Sequence, residues 1–276
     1  CERNAVYVKR RIKTRFYDYL SAVYQPTRVL SAKIVVEGGE TYNYTDALQS
    51  MVITELCNTG DDLQPGSCCS ASLDFVLIPM ENSVIDSELD GKTVIPYIGL
   101  EVDGEEVSVP LGYFIVTESK MDENNKLQAK AADRMSLFNR SYDEEQITFP
   151  CTLLQFVENL CDQAGVSLSS SSFPNSNYIL SNDFNADAEL RTMLGYAAQA
   201  AGSYARFNRE GNLELGWYSP PNSPVSVTSE SYWSLKFTGH SIPPIDKVTI
   251  KTEEDDLGIS YGEGENEFSF IGNPLF

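Results

Sequence analysis

Residues 152–217 carry two helical repeats of apolar positions, followed by the alternation typical of a hairpin. The first repeat has the spacing of one buried helix face. Its members are Leu153, Leu154, Val157, Leu160, Cys161 and Ala164. Gly165 follows where helices commonly end in a left-handed residue. The pattern predicts an amphipathic helix between Thr152 and Gly165.

A second helix and a hairpin complete this region. The apolar stripe of the helix consists of Leu190, Met193, Leu194, Ala197 and Ala201. Asn185 and Asp187 can cap its start, and Gly202 can close its end. Residues 204–207 and 213–217 then predict two strands around a turn over 208–211, where Gly211 can take a positive φ.

Alternating apolar and polar residues predict strands on both sides of the helices. The predicted segments are 33–36 with 41–44 around two glycines, 73–78, 98–102 with 105–109 around Asp103-Gly104, 113–119 with 126–131, and finally 247–251 and 267–271. Residues 135–139 predict a short helix. The Asp-Gly pair favours a type I′ turn, because both of its central positions need positive φ.

The order of these elements predicts three regions within the 276 residues. They are a β-rich region 1–144, a small α/β region 145–220 with two helices and a hairpin, and further strands in 221–276. A serine-rich loop covers 167–177, and the proline-rich segment 220–224 has the composition of a linker. Strands followed by helices indicate an α+β, mostly β chain rather than alternating parallel units.

The charge of the chain limits the classes of partner that it can bind. The chain has 20 basic and 40 acidic residues, a net charge of −20, and six of the basic residues lie in the first fifteen positions. This balance argues against ordinary nucleic-acid binding, since affinity for duplex DNA depends on lysine and arginine neutralising phosphates. The basic start is compatible with a nucleic-acid arm or a signal peptide. An early strand with a solvated basic face is favoured, because no apolar run follows Arg15. No stretch approaches the roughly twenty apolar residues of a membrane span.

The cysteines define no recognisable metal or disulfide framework. They are Cys1, Cys57, Cys68, Cys69, Cys151 and Cys161, with no C-x-x-C spacing and a single histidine in the chain. Cys161 is interpreted as a core residue of the first helix. A disulfide between Cys57 and either Cys68 or Cys69 is the alternative to free thiols. We predict no metal site and no cofactor.

Several segments in order along 31–276 resemble the N-terminal, baseplate-hub-like region of phage tail proteins. The resemblance is carried by G-S-Y-A-R-F-N-R-E-G-N-L-E-L from Gly202, P-L-G-Y-F-I-V-T-E from Pro110, A-A-D-R-M from Ala131, T-L-L-Q-F-V-E-N-L-C-D-Q-A-G-V from Thr152, I-S-Y-G-E-G-E-N from Ile259 and G-N-P-L-F from Gly272. It implies tube-type, β-barrel-like domains on both sides of the small α/β region. It also implies a structural homotrimer at the tail tip that joins the tail tube or distal tail protein to a spike or fibre, and that passes DNA as cargo.

The sequence departs from the family pattern at both ends of the chain. Family members continue past the segment that corresponds to residues 273–276, to complete a second barrel and often to add a lytic or receptor-binding region. The sequence here stops at Phe276 and begins with Cys1 rather than methionine. We therefore expect a processed piece with an incomplete second barrel, assembled in the host cytoplasm and located in the virion.

A hydrolase is the enzymatic alternative, because Gly258-Ile259-Ser260-Tyr261-Gly262 matches G-x-S-x-G. A nucleophile elbow lies between a strand and a helix, and its histidine follows in the chain. Here β-like sequence follows, and His240 precedes the serine. We interpret the motif as a loop with two permissive glycines, and we predict no catalytic residue.

Two acidic segments have some of the features of cation sites. Residues 183–187 copy the first ligands of a calcium loop, but Ala188 and Leu194 stand where glycine and a bidentate glutamate belong. Helix capping is the favoured interpretation. The acidic run 253–256 is interpreted as a solvated turn. A pair of carboxylates for glycoside hydrolysis remains an alternative, because forty acidic residues bring some carboxylates together by chance in any fold.

Aromatic residues indicate an alternative function, that of a β-rich cell-surface or carbohydrate-binding module. The candidates are Tyr42, Tyr44, Tyr204, Trp217, Tyr218, Tyr232 and Trp233. Most are predicted to be core residues. Trp217 in particular aligns with Leu213 and Leu215 in the predicted strand, so alternation places it inside.

Overall fold

The computed structural model describes residues 29–43, 47–56, 64–79, 88–102, 105–181, 188–218, 244–251 and 256–275. The chain divides into two compact units, Cys1–Gly216 and Trp217–Phe276. Strands prevail among the described residues, and two α-helices accompany them, which confirms the α+β, mostly β class. The finer division at residues 144 and 220 remains a prediction.

Eight strands of the first unit form one antiparallel sheet. They are β1 Val29–Val36, β2 Thr41–Asn43, β3 Leu48–Glu55, β4 Ala71–Leu77, β5 Thr93–Val102, β6 Glu105–Pro110, β7 Phe114–Met121 and β8 Leu127–Asp133. The order is β2-β1-β5-β7-β8-β4-β3, and β6 pairs with the second half of β5. The predicted hairpins β1/β2, β5/β6 and β7/β8 are confirmed, although the Asp103-Gly104 turn lies outside the described residues.

The sheet curves around one apolar core without closing. Residues from both ends of the strand order contribute to this core, including Tyr42 on β2 and Leu48 on β3. Among the described residues, however, no hydrogen-bonded pairing joins β2 to β3. The barrel implied by the resemblance is therefore not closed in the part of the chain that is described. Closure requires continuous pairing between the end strands, and the three residues of β2 offer too short an edge for it.

The helical part follows β8. Its elements are two 3₁₀ turns, Arg134–Phe138 and Glu144–Gln146, the helices α1 Leu153–Ala164 and α2 Leu190–Ala200, and the short strands β9 Cys151–Thr152, β10 Ile179–Leu180, β11 Tyr204–Phe207 and β12 Leu213–Gly216. The predicted helices, the hairpin β11/β12 and the short helix near residue 135 are confirmed.

Local capping explains where α1 begins and ends. Thr152 and Gln155 form a capping box, in which each side chain bonds to the backbone of the other residue. At the other end, Gly165 is left-handed with φ 71°, as predicted, and the Val166 N–H donates to the Cys161 carbonyl. The helix buries one face, which includes Phe156 and all of the predicted stripe except Leu154, which is half-buried.

The start of α2 differs from the prediction. Its N-cap is Glu189, whose side chain makes no capping hydrogen bond, whereas Asn185 and Asp187 lie outside the described residues. The capping interpretation of this acidic segment is therefore wrong for the N-cap position. The Leu190 N–H instead donates to the Arg140 carbonyl at 2.8 Å, so a neighbouring segment satisfies part of the first turn.

The sheet and the helical part share backbone hydrogen bonds. The segment that precedes β4 runs beside β11, where the Ala205 N–H donates to the Ser67 carbonyl at 2.9 Å and the Cys69 N–H donates to the Ala205 carbonyl at 2.8 Å. On the other side of this hairpin, Arg134 donates to the Gly211 carbonyl at 3.0 Å and stacks on the Tyr113 ring. These contacts join the two parts of the first unit.

The second unit contains a three-stranded sheet of β13 Lys247–Lys251, β14 Ile259–Gly262 and β15 Glu267–Ile271. The central strand β13 is antiparallel to β14 and parallel to β15. Strands β13 and β15 confirm the prediction, whereas β14 was interpreted as a loop. None of the helices in the described part of the chain has the length and apolar character needed to cross a membrane.

Candidate functional site

The outer edge of β3 is the candidate site for assembly in the first unit. β3 pairs with β4 along one side, and no described strand pairs with its other side. Met51 and Ile53 pack against the core, whereas Val52 is 58% exposed. Just beyond the strand, Leu56 is 50% exposed. Among the described residues, the edge therefore combines backbone groups that no strand pairs with and exposed apolar side chains.

The sequence of β3 carries little protection against pairing with another strand. Natural edge strands are commonly guarded by lysine, proline or inward-pointing charges. β3 reads L-Q-S-M-V-I-T-E, with Glu55 as its single charged residue. That carboxylate is paired with Arg209 at 3.3 Å. Sequence analysis missed this strand because its apolar residues do not alternate, although the run of Met, Val, Ile and Thr has high β propensity.

A cleft of about 250 Å³ opens beside the end of β3. Its lining residues are Thr54, Leu56, Ser70, Ala71, Ser72, Ala132, Asp133, Ser136, Asn139 and Arg191. They come from the ends of β3, β4 and β8, from the first 3₁₀ turn and from α2. The cleft thus lies where the sheet meets the helical part.

Asp133 is the buried charged group of this cleft. Its two carboxylate oxygens accept backbone hydrogen bonds from Ala71 at 2.8 Å and from Met135 at 3.1 Å. Burial raises the pKa of Asp133 from 3.8 to about 6, against the lowering effect of the two hydrogen bonds and of Arg191. Arg191 itself donates to the Cys68 carbonyl at 2.9 Å. The carboxylate therefore holds β4, the end of β8 and the 3₁₀ turn together.

The cleft carries four hydroxyl groups and one buried carboxylate. Its hydroxyl groups belong to Thr54, Ser70, Ser72 and Ser136, and no histidine occurs among the described residues to activate them. Within the same described set, no group of three or more His, Cys, Asp or Glu residues is placed to hold a metal ion.

The G-x-S-x-G motif lies in the second unit and does not form a nucleophile elbow. Ser260 is part of β14, and its hydroxyl shares a 2.8 Å hydrogen bond with that of Thr249 on β13. Gly258 and Gly262 both have positive φ, but β15 rather than a helix follows the motif. His240 lies outside the described residues. The predicted loop is thus a strand, because its pairing with β13 overrides the two glycines.

The calcium-like segment is described only at its end. Residues 183–187 lie outside the described residues, whereas Leu194, at the twelfth position of the loop pattern, is buried in α2. An apolar core side chain there cannot supply the carboxylate of a calcium loop. Asp256 is the residue of the acidic run 253–256 that the structure describes, and its side chain is exposed.

The aromatic candidates separate into core and surface residues. Tyr42 is buried and Tyr204 is half-buried, whereas Tyr44, Tyr232 and Trp233 lie outside the described residues. The predicted burial of Trp217 is wrong, since its side chain is 43% exposed.

Strand length explains the exposure of Trp217. β12 ends at Gly216, so the alternation that buries Leu213 stops before Trp217. The Trp217 ring meets that of Tyr218 edge-on, with the ring centroids 5.3 Å apart. The two rings form a partly exposed aromatic pair.

The described cysteines are free and buried: Cys68, Cys69, Cys151 and Cys161. Cys161 is a core residue of α1, as predicted. Burial raises the pKa of Cys68 and of Cys161 to about 12, so neither thiol is activated as a nucleophile. Cys57 lies outside the described residues, and Cys68 and Cys69 are not in a disulfide.

Comparison with known proteins identifies a shared fold. No family model and no curated protein sequence matches the chain. Among solved structures, the chain is similar to the 43 kDa tail protein of prophage MuSo2 from Shewanella oneidensis, with a TM-score of 0.55, 13% identity and coverage of 88% of this chain and 72% of that one. It is also similar to the tail protein from Neisseria meningitidis MC58, with a TM-score of 0.52, 16% identity and coverage of 88% and 71%. The chain therefore has the fold of these phage and prophage tail proteins.

Proposed function

We propose that this protein is a structural subunit of a phage or prophage tail, and that it acts at the tail tip as a hub. In this role three copies form a ring that joins the tail tube or distal tail protein to a spike or fibre. The proposal rests on the fold, which two tail proteins share along 88% of this chain. The role is structural and not catalytic.

The free edge of β3 gives ring formation a physical basis. An unprotected eight-residue edge strand is a liability in a monomer, because it pairs with other chains. A closed ring covers such an edge on every subunit and leaves none for further growth. The unpaired outer side of β3, with Val52 exposed beside it, supports subunit contact at this position.

The charge of the chain supports passage of DNA through such a ring. A net charge of −20 repels phosphate, so a genome in transit does not adhere to the wall. DNA is therefore a cargo and not a ligand. The protein belongs in the virion at the tail tip after assembly in the host cytoplasm, and its four described free thiols are compatible with a reducing compartment.

The test is the solution mass of the protein, measured by light scattering across a concentration series. The wild type should approach a trimer at high concentration. Val52→Lys should shift the association to higher concentration, because lysine on an edge strand opposes pairing. Gln128→Lys is the matched control, since Gln128 is exposed on β8, which is paired on both sides. A strict monomer throughout, or equal effects of both variants, would contradict assembly through β3.

A carbohydrate-binding module is the second candidate, and the aromatic pair of Trp217 and Tyr218 favours it. Exposed tryptophan rings offer the flat apolar surface on which sugar rings stack. The discriminating measurement is the quenching of tryptophan fluorescence by bacterial surface polysaccharides, compared between the wild type and Trp217→Ala. Saturable binding by a monomeric wild type that the variant loses would favour this candidate over the hub.

A further inference from the structure

The sheet of the second unit exposes an apolar face. In the register of β13 with β14, Ile250 is opposite Ile259 and Val248 is opposite Tyr261. Residues that pair directly, and residues two apart in a strand, lie on the same face of a sheet. These four side chains therefore share one face. Ile259 is 65% exposed, Tyr261 63% and Ile250 38%.

The opposite face has the reverse character. Thr249, at its centre, is 2% exposed and shares a hydrogen bond with Ser260, and Lys247 pairs with Glu267 at 2.8 Å. An ordinary half-buried sheet turns its apolar face inward and its polar face to water. Here Thr249 is buried on the polar face, its neighbours Ser260 and Ser269 are exposed, and the apolar face is open as well. Contiguous exposed apolar surface of this kind is typical of an interaction site.

The edge of β14 is open as well. No described strand pairs with the side of β14 that faces away from β13, and all four of its residues are exposed. Its backbone N–H and C=O groups on that side are therefore available to an added strand. Acidic residues flank the strand, with Asp256 before it and Glu263 and Glu265 after it, all three exposed.

We propose that β14 binds an extended segment of a partner protein by strand addition. The segment has alternate apolar residues, which continue the exposed face, and lysine or arginine near its ends, which meet the flanking acids. Charge selects this occupant over the β14 strand of a second copy, because that strand brings the same flanking acids to the rim. This surface is in the second unit, so the inference is independent of ring formation through β3.

Fluorescence anisotropy with labelled synthetic peptides tests the proposal on the full chain. The probe is a short peptide of alternating isoleucine and threonine with lysine at both ends. One control peptide carries glutamate in place of lysine, and a second carries backbone N-methyl groups along one edge. The variants are Ile259→Ser and Tyr261→Ser, both at exposed positions. Ser269→Ala, exposed on the opposite face, is the matched control, and circular dichroism verifies folding.

The lysine peptide should bind about tenfold more tightly than the glutamate peptide, and each serine variant should weaken it about tenfold. Ser269→Ala should bind as the wild type does, and N-methylation should abolish binding. The proposal is overturned if the lysine peptide does not bind, if both peptides bind equally, or if the serine variants or N-methylation have no effect. It is also overturned if the chain dimerises and Ile259→Ser makes it monomeric, since the occupant is then a second copy.

Discussion

Replacing Asp133 by asparagine should remove a pH dependence of stability that this carboxyl group gives the fold. Burial raises the pKa of Asp133 from 3.8 to about 6. The folded state therefore holds the proton more tightly than the unfolded state does. This contribution to the free energy of unfolding is fully present below about pH 4 and is lost as the pH rises through about 6.

The size of the effect follows from the shift. Each pKa unit corresponds to about 1.4 kcal/mol, so a rise of about two units makes the difference between acid and neutral pH about 3 kcal/mol. Asparagine also replaces one oxygen that accepts a hydrogen bond from Ala71 or Met135, which costs about 1–3 kcal/mol at every pH. The two effects oppose each other near neutral pH, so the slope with pH is the informative quantity.

Urea unfolding at a series of pH values between about 3 and 8 measures that slope. The wild type should lose about 3 kcal/mol relative to Asp133→Asn across this range. Asp74→Asn, which removes an exposed carboxylate from the neighbouring strand β4, controls for the loss of one negative charge. A constant difference between the wild type and Asp133→Asn would refute the assignment of this carboxyl as a desolvated group.

Three further predictions concern the first unit. Gly211→Ala should lower the free energy of unfolding by about 1–3 kcal/mol, because φ is +77° and the new Cβ would lie 2.8 Å from the Tyr113 ring; an unchanged melting temperature would contradict this. Thr152→Ala should cost about 1 kcal/mol in urea unfolding through loss of the capping box, whereas Thr152→Ser should restore most of it. Cys68 and Cys161 should react with a thiol reagent only on unfolding, because burial raises the pKa of each to about 12; rapid labelling of the native protein would show that they are accessible.

Local signals in the sequence predicted the elements that depend on neighbouring residues. The apolar stripe and Gly165 located α1, and the alternation around residues 103–104 and 208–211 located two hairpins. Long-range pairing was not predictable in the same way. β14 became a strand because β13 pairs with it, in spite of Gly258 and Gly262.

The candidate site was less predictable than the fold, because its features depend on which strands and side chains become neighbours in the folded chain. β3 is notable for an unpaired side, and single-chain patterns do not reveal which strand will be last in a sheet. Asp133 is part of the A-A-D-R-M segment, but the sequence does not reveal its burial, which depends on the packing of the first 3₁₀ turn and of Arg191 on α2 around it. Trp217 was assigned to the core because the pattern did not reveal that β12 ends at Gly216.

The hydrogen bonds between the segment before β4 and the last hairpin affect how the first unit folds. Ser67 and Cys69 pair with Ala205, and Arg191 reaches the Cys68 carbonyl across 123 residues of sequence. Contacts this distant in sequence slow folding, because long loops must close before the contacts form. During synthesis the segment before β4 therefore cannot make these hydrogen bonds until Ala205 has left the ribosome. Until then the Ser67 carbonyl and the Cys69 N–H lack these partners, so the sheet and the helical part are joined here only after the last hairpin has been synthesised.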